Sequence, residues 1–206
     1  MTETRARCRA LVVGLVVGLV PAVGLGAATS SATSSADAVA AVKKSLDAAL
    51  AIARSGGTRN DQLAALQAAA GEFLDTRAMG RRAVGEVLAA QPSAQQEEYL
   101  TLFDQLMVRA YLQKLLLFRD PHFGYGEPRR ADDALIVPTT IATAKDEYHV
   151  EYEMRERDGR WVATDVIVEG ISLTDNYKAQ FTNLLRDRSF AELLDLMRTK
   201  TRPASG

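Results

Sequence analysis

The sequence predicts an α+β domain with helices first, an antiparallel sheet next and helices again at the end. Three observations predict it. Apolar residues recur at helical spacing from residue 39 to about 118, alternate with polar ones between 135 and 168, and return to helical spacing from 172 onward. No internal repeat and no second domain break this order.

Residues 1–38 read as a secretory signal peptide and processing spacer. Arg5, Arg7 and Arg9 precede an uncharged apolar run from Leu11 to Val20, and Pro21 and a small-residue stretch follow. A permanent anchor needs roughly 20 apolar residues, and here Pro21 and the glycines shorten the run. Cleavage is expected after Ala36 or Ala38, with Ala32 as a weaker site. Cys8 lies before the apolar run, where no lipoprotein signal places its lipidated cysteine.

The domain then spans 39–200. Val39, Val42, Leu46 and Leu50 mark a first helix that stops at Ser55-Gly56-Gly57. An Ala-rich second helix is expected from about Asp61 to Ala70, and a third from Phe73 to a closing glycine, Gly85. Ser93 with Gln96 reads as a capping box, and the helix it opens should last to about Phe118. Two prolines and two glycines make Asp120 to Asp133 a loop or an edge strand.

The strands follow. Leu135 to Thr143 is β-rich, Tyr148, Val150, Tyr152 and Met154 alternate with charged neighbours, and Trp161 to Val168 comes after Asp158-Gly159, a strong hairpin signal. They should form an antiparallel sheet of about four strands with one buried face. Ser172 with Asp175 and Ser189 with Glu192 cap two last helices, and 201–206 reads as a disordered tail.

Composition excludes several functions. Removing residues 1–38 takes away three arginines, one glutamate and one aspartate, which leaves 22 basic against 24 acidic residues. That balance offers no electrostatic basis for binding nucleic acid. The mature chain would hold no cysteine, so a disulfide framework and a cysteine nucleophile are both excluded. The two histidines, His122 and His149, lack a second ligand at metal spacing, so no metal site is expected. No P-loop and no G-x-S-x-G motif occur. The sharpest catalytic idea is a buried carboxylate, Asp165 or Glu169, acting as a general base beside Tyr148 and Tyr152. Pairing with an arginine or capping a helix start is the plainer role for either carboxylate. The sequence is therefore read as a non-enzyme.

One stretch carries a resemblance. Asp158-Gly159-Arg160-Trp161, then Asp165 to Leu173 (D-V-I-V-E-G-I-S-L), then Asn176-Tyr177 with Gln180-Phe181, follow in order the blocks of MlaC-type proteins, also called toluene-tolerance auxiliary proteins. Upstream, Phe73-Leu74-Asp75 with Met79 and Ala83-Val84-Gly85, the Gln95-to-Phe103 segment with Tyr111, and Thr139 to Ile141 resemble further family blocks, so coverage runs from about Leu46 to Leu196. The tryptophan usual after Gly85 is absent, with Leu88 near its place, and Asp120 to Asp133 matches poorly.

The resemblance implies a periplasmic carrier of diacyl phospholipids, with an NTF2-like curled sheet and an apolar cavity between sheet and helices. Its partners would be an inner-membrane ABC transporter complex with an MCE-domain ring, and an outer-membrane lipoprotein bound to a porin. It would keep the outer membrane asymmetric as a monomer without a cofactor. Two acyl chains hold about 30 methylenes, whose exposure would cost roughly 24 kcal/mol, so lipid has to reach the cavity without crossing water. The expected walls are Leu106, Tyr111, Leu115, Phe118, Ile141, Val150, Tyr152, Val166, Val168, Tyr177 and Phe181. Arg81, Arg82, Lys178 and Arg186 are candidates for a basic rim that meets a headgroup phosphate or acidic partners, with a solvated face as the plainer reading. Rival readings are a hopanoid-associated carrier of the same superfamily, an NTF2-like enzyme and an envelope protein with a filled core.

Overall fold

The computed structural model describes residues 26–107 and 120–202, with side chains from residue 34 on. Helix α1 (Gly26–Arg54) starts thirteen residues before the expected Val39. The stretch between holds only Gly, Ala, Ser, Thr and one Asp, so it lacks the apolar period, yet alanine is the strongest helix former. Ala38, Val42 and Leu46 make the buried stripe of α1.

Helix α2 (Arg59–Phe73) opens on a capping box that the sequence reading passed over. The Asp61 amide donates to Thr58 Oγ1 at 3.2 Å and the Thr58 amide to the Asp61 carboxylate at 3.0 Å. Phe73 therefore ends α2 instead of opening the next helix. Asp75 caps α3 (Thr76–Val84), Gly85 closes it as expected, and a 3₁₀ turn (Gly85–Leu88) follows. Helix α4 covers Ser93–Met107. The amides of Gln95 and Gln96 donate to the Pro92 carbonyl, and the Gln96 side chain reaches the Gln91 carbonyl instead of Ser93.

Six strands follow among the described residues, not about four: β1 (His122–Tyr125), β2 (Arg129–Ala131), β3 (Ala134–Ala142), β4 (Glu147–Arg157), β5 (Arg160–Val168) and β6 (Ile171–Ser172). All pairings are antiparallel, in the order β1-β3-β4-β5-β6, with β2 also on β3. The Pro- and Gly-rich segment thus supplies two short edge strands. Pro138, which has no amide to give, lies in β3 where β1 has ended and β2 has not begun, and its carbonyl accepts the Gly126 amide at 2.9 Å. Gly124 faces Thr140 across the β1–β3 pair, and the threonine hydroxyl occupies the space a Cβ would need. Asp158 and Gly159, with φ of 51° and 72°, make the expected hairpin turn between β4 and β5. Glu169 and Gly170 repeat it between β5 and β6. The β4–β5 register slips at Glu153/Met154, which leaves Thr164 as an extra residue and adds to the curl.

Helices α5 (Leu173–Asp187) and α6 (Phe190–Thr201) carry the predicted serine caps: Ser172 accepts the Asp175 amide and Ser189 the Glu192 amide. Helix α1 packs on α2 and on β3 and β5, while α3 joins α4, α5 and β5. One apolar cluster fills the space between sheet and helices. Its helical end is a knot of rings, with Tyr99 and Phe103 from α4, Tyr177 and Phe181 from α5 and Phe190 from α6, at centroid distances of 5.3–6.3 Å. The Tyr99 hydroxyl is satisfied by donating to the Gly80 carbonyl at 2.9 Å.

Phe103 touches three of these rings and is wholly buried, so Phe103→Ala should lower the unfolding free energy by about 3–5 kcal/mol in denaturant titration.

Candidate functional site

In an antiparallel sheet, residues directly opposite each other share a face, so the register sorts the inner face into rows. The first is Leu135–Met154–Ala163, followed by Val137–Tyr152–Val166. Next come Tyr125–Thr139–Val150–Val168–Ile171 and then Phe123–Ile141–Tyr148. Burial is graded along them. The first two rows are buried throughout, the third and fourth keep a buried middle with half-buried ends, and Ile171 stands 61% exposed. The sheet thus carries a continuous apolar surface that is closed at one end and opens at the other. Thr139 does not interrupt it, because its hydroxyl donates to the Val150 carbonyl at 2.7 Å.

Six of the predicted wall residues, Leu106, Ile141, Val150, Tyr152, Val166 and Phe181, are buried in this one cluster, and Val168 and Tyr177 pack half-buried against it. Tyr111, Leu115 and Phe118 lie outside the described residues. Phe181 and Tyr177 belong to the ring knot, whereas Val150, Tyr152, Val166 and Val168 belong to the sheet rows. The sequence reading missed Phe73, whose ring meets Tyr152 edge-on at 5.5 Å, and also Phe123, Tyr125 and Tyr148. Phe123 and Tyr125 do alternate with Gly124 and Gly126, a period of two hidden by the turn-like composition around it.

The opposite face mixes charged and polar residues with Ile136, Pro138 and Ile167. An open groove of about 660 Å³ lies there at the β1–β3 edge, lined by Gly124, Pro138, Thr140, His149, Glu151 and Glu169 and also by Tyr125 and Thr139 of the third inner row, and it contains none of the predicted wall residues. Glu151 is clamped by Arg129 at 2.7 and 2.8 Å, and His149 is exposed.

The general-base idea does not survive the register. Asp165 pairs with Glu153, one residue out of phase with Tyr152 and Val166, so its carboxylate faces away from the apolar rows. Being 2% exposed, it is satisfied as a joint. Oδ1 accepts the amides of Val166 and Thr174 and the Thr174 hydroxyl, while Oδ2 accepts Ser172 Oγ and Arg82. Asp165 therefore both pairs an arginine and caps the start of α5. Glu169 does neither. Its amide donates to the His149 carbonyl at 2.9 Å and its carboxylate accepts the His149 amide at 2.6 Å, which closes the end of the β4–β5 ladder.

The expected basic rim is divided. Arg82 is engaged by Glu153, the Thr164 carbonyl and Asp165, whereas Arg81 lies on the α3–α4 side, where Glu97 is held ionised chiefly by its hydrogen bond from Arg77 and in smaller part by Arg81. Adjacent positions on a helix point about 100° apart, so the two serve different surfaces. Lys178 and Arg186 are exposed on α5. Among the described residues no cluster of His, Cys, Asp and Glu could hold a metal ion.

Fold and site together define a class: an α+β domain whose curled sheet keeps one graded apolar face under helices, with its buried carboxylate spent on structure. The family model described as MlaC protein matches residues 42–199, and the chain belongs to that family. A solved structure, a phospholipid-binding protein from Ralstonia solanacearum in complex with a phospholipid, matches with a TM-score of 0.74 at 21% identity. The match covers 80% of this chain and 97% of that one, and the likeness is one of fold.

Burial raises the pKa of Tyr152 and of Tyr99 above the ordinary value of 10.0. The folded state then holds the proton that the unfolded state releases, so stability is full below about pH 10 and falls as pH rises beyond it. Unfolding titrations from about pH 9 to pH 11 should show that decline, and Tyr152→Phe should lessen it.

Proposed function

We propose that the protein is a periplasmic phospholipid carrier, exported by a cleaved signal peptide, that takes the acyl chains of a diacyl lipid against the inner face of its curled sheet. The observation that carries this reading is the graded apolar face. A domain stable on packing alone gains nothing from an apolar row that runs out to solvent, whereas a lipid carrier needs a greasy path that stays open at one end. Family membership and the phospholipid held by the Ralstonia relative support the same reading.

The carrier would shuttle lipid between an inner-membrane ABC transporter complex with an MCE-domain ring and an outer-membrane lipoprotein–porin complex. In that role it preserves outer-membrane lipid asymmetry. Its residues bind and shield, and energy comes from the transporter. The walls assigned above include Leu106, Ile141, Val150, Tyr152, Val166 and Val168, with Tyr111, Leu115 and Phe118 from the segment that follows α4.

Native and denaturing mass spectra of protein taken from a bacterial periplasm test the reading directly. The native species should carry the added mass of one diacyl phospholipid that denaturation releases; a protein with no added mass would refute it. Val150→Gln and Val168→Gln should each lower lipid occupancy about tenfold, since a buried amide without a partner costs about 1–3 kcal/mol. Circular dichroism should show both variants folded.

Signal cleavage should fall upstream of Ala38, after Ala36 or Ala32, because Ala38 is wholly buried at the start of the α1 stripe and a later cut would remove it. The intact mass of the periplasmic protein reads the position.

A further inference from the structure

Among the described residues only three large apolar side chains are exposed: Val87 after α3, Leu196 on α6, and Ile171, the barest of them at 61%. Val87 and Leu196 sit on helical or turn surfaces, where a single exposed apolar residue is unremarkable. Ile171 differs in two respects. It lies directly opposite Val168, so it is the outermost member of the third inner row, continuous with Val150, which is 5% exposed. It is also held in place from both sides. The turn before it is tied to His149 by the Glu169 amide and carboxylate, and Ser172 after it donates to the buried Asp165. A flexible hairpin could tuck an isoleucine away from water; this one is bonded so that it cannot.

We infer that Ile171 is the lip of the apolar face, the first side chain that an acyl chain leaving a membrane touches on its way to Val168 and Val150. The inference rests on the carrier reading above and adds a kinetic role to it. Because Ile171 is mostly exposed, it adds little to holding a lipid already inside. Its contact matters while a chain is partly withdrawn from the bilayer, when every methylene left in water raises the barrier. Ile171 therefore sets the rate of loading and unloading and leaves final occupancy alone.

The test uses full mature protein, stripped of lipid, with neutral phosphatidylcholine vesicles that carry a fluorescent diacyl phosphatidylcholine and no partner protein. Ile171→Asn should slow uptake about tenfold, the equivalent of 1.36 kcal/mol in the barrier. Ile171→Leu should keep the wild-type rate, and so should Val87→Asn. After equilibration, native mass spectrometry should find Ile171→Asn as fully loaded as wild type. Uptake by Ile171→Asn at the wild-type rate would overturn the lip role, and so would slow uptake joined to lost final occupancy, which would make Ile171 a wall residue. A wild-type protein that takes up no lipid from the vesicles would also overturn the lip role, whereas the carrier reading falls only if protein taken from the periplasm carries no lipid. Thermal melting confirms that the variants fold.

Discussion

Five hydrogen bonds converge on the buried carboxylate of Asp165, and the relation of helices to sheet depends on them. A carboxylate removed from water is tolerated only where its lone pairs are filled, and here they are filled by its own strand and by three further elements. Arg82 brings α3 to the edge of β5, Thr174 fixes the first turn of α5, and Ser172 sets the short strand between. These bonds act together with the packing of Leu173, Tyr177 and Phe181 to set how α5 leaves the sheet.

Packing is uneven. Where α4, α5 and α6 meet, rings interlock as in an ordinary protein interior. Over the far rows of the sheet the side chains are Val, Ile, Tyr and Phe, still apolar but progressively less covered. The same chain thus builds a rigid wedge at one end and an open slope at the other. A binding face on a scaffold braced in this way can exchange its occupant without unfolding the rest.

Much of this was legible in the residue pattern, and the reasons are local. Alternation in Tyr148–Met154 and the Asp158-Gly159 dipeptide specify a hairpin without outside help, and Ser189 with Glu192 specifies a helix start. The segment Asp120 to Asp133 was legible only as a loop or an edge strand, and the two strands in it stayed hidden because Gly124 lies within β1 while Gly126 and Pro128 sit at the gap before β2. The early start of α1 was hidden by alanine, a residue that favours helix while carrying almost no apolar signature. For the site, spacing identified inward residues such as Val150 and Val166 but could not separate a slope from a solid core, since both need the same side chains. Nor could it show Arg81 and Arg82 parting company, which follows only from where α3 sits.

Gly124 gives the two sides of the sheet a hidden dependence on each other. Its neighbours Phe123 and Tyr125 point inward, while its own missing side chain leaves room on the outer face for the hydroxyl of Thr140. A Cβ there would overlap that hydroxyl, so a larger residue requires the Thr140 side chain to turn aside. The pairing that sets both aromatic rings in the inner face thus depends on what fills the outer one.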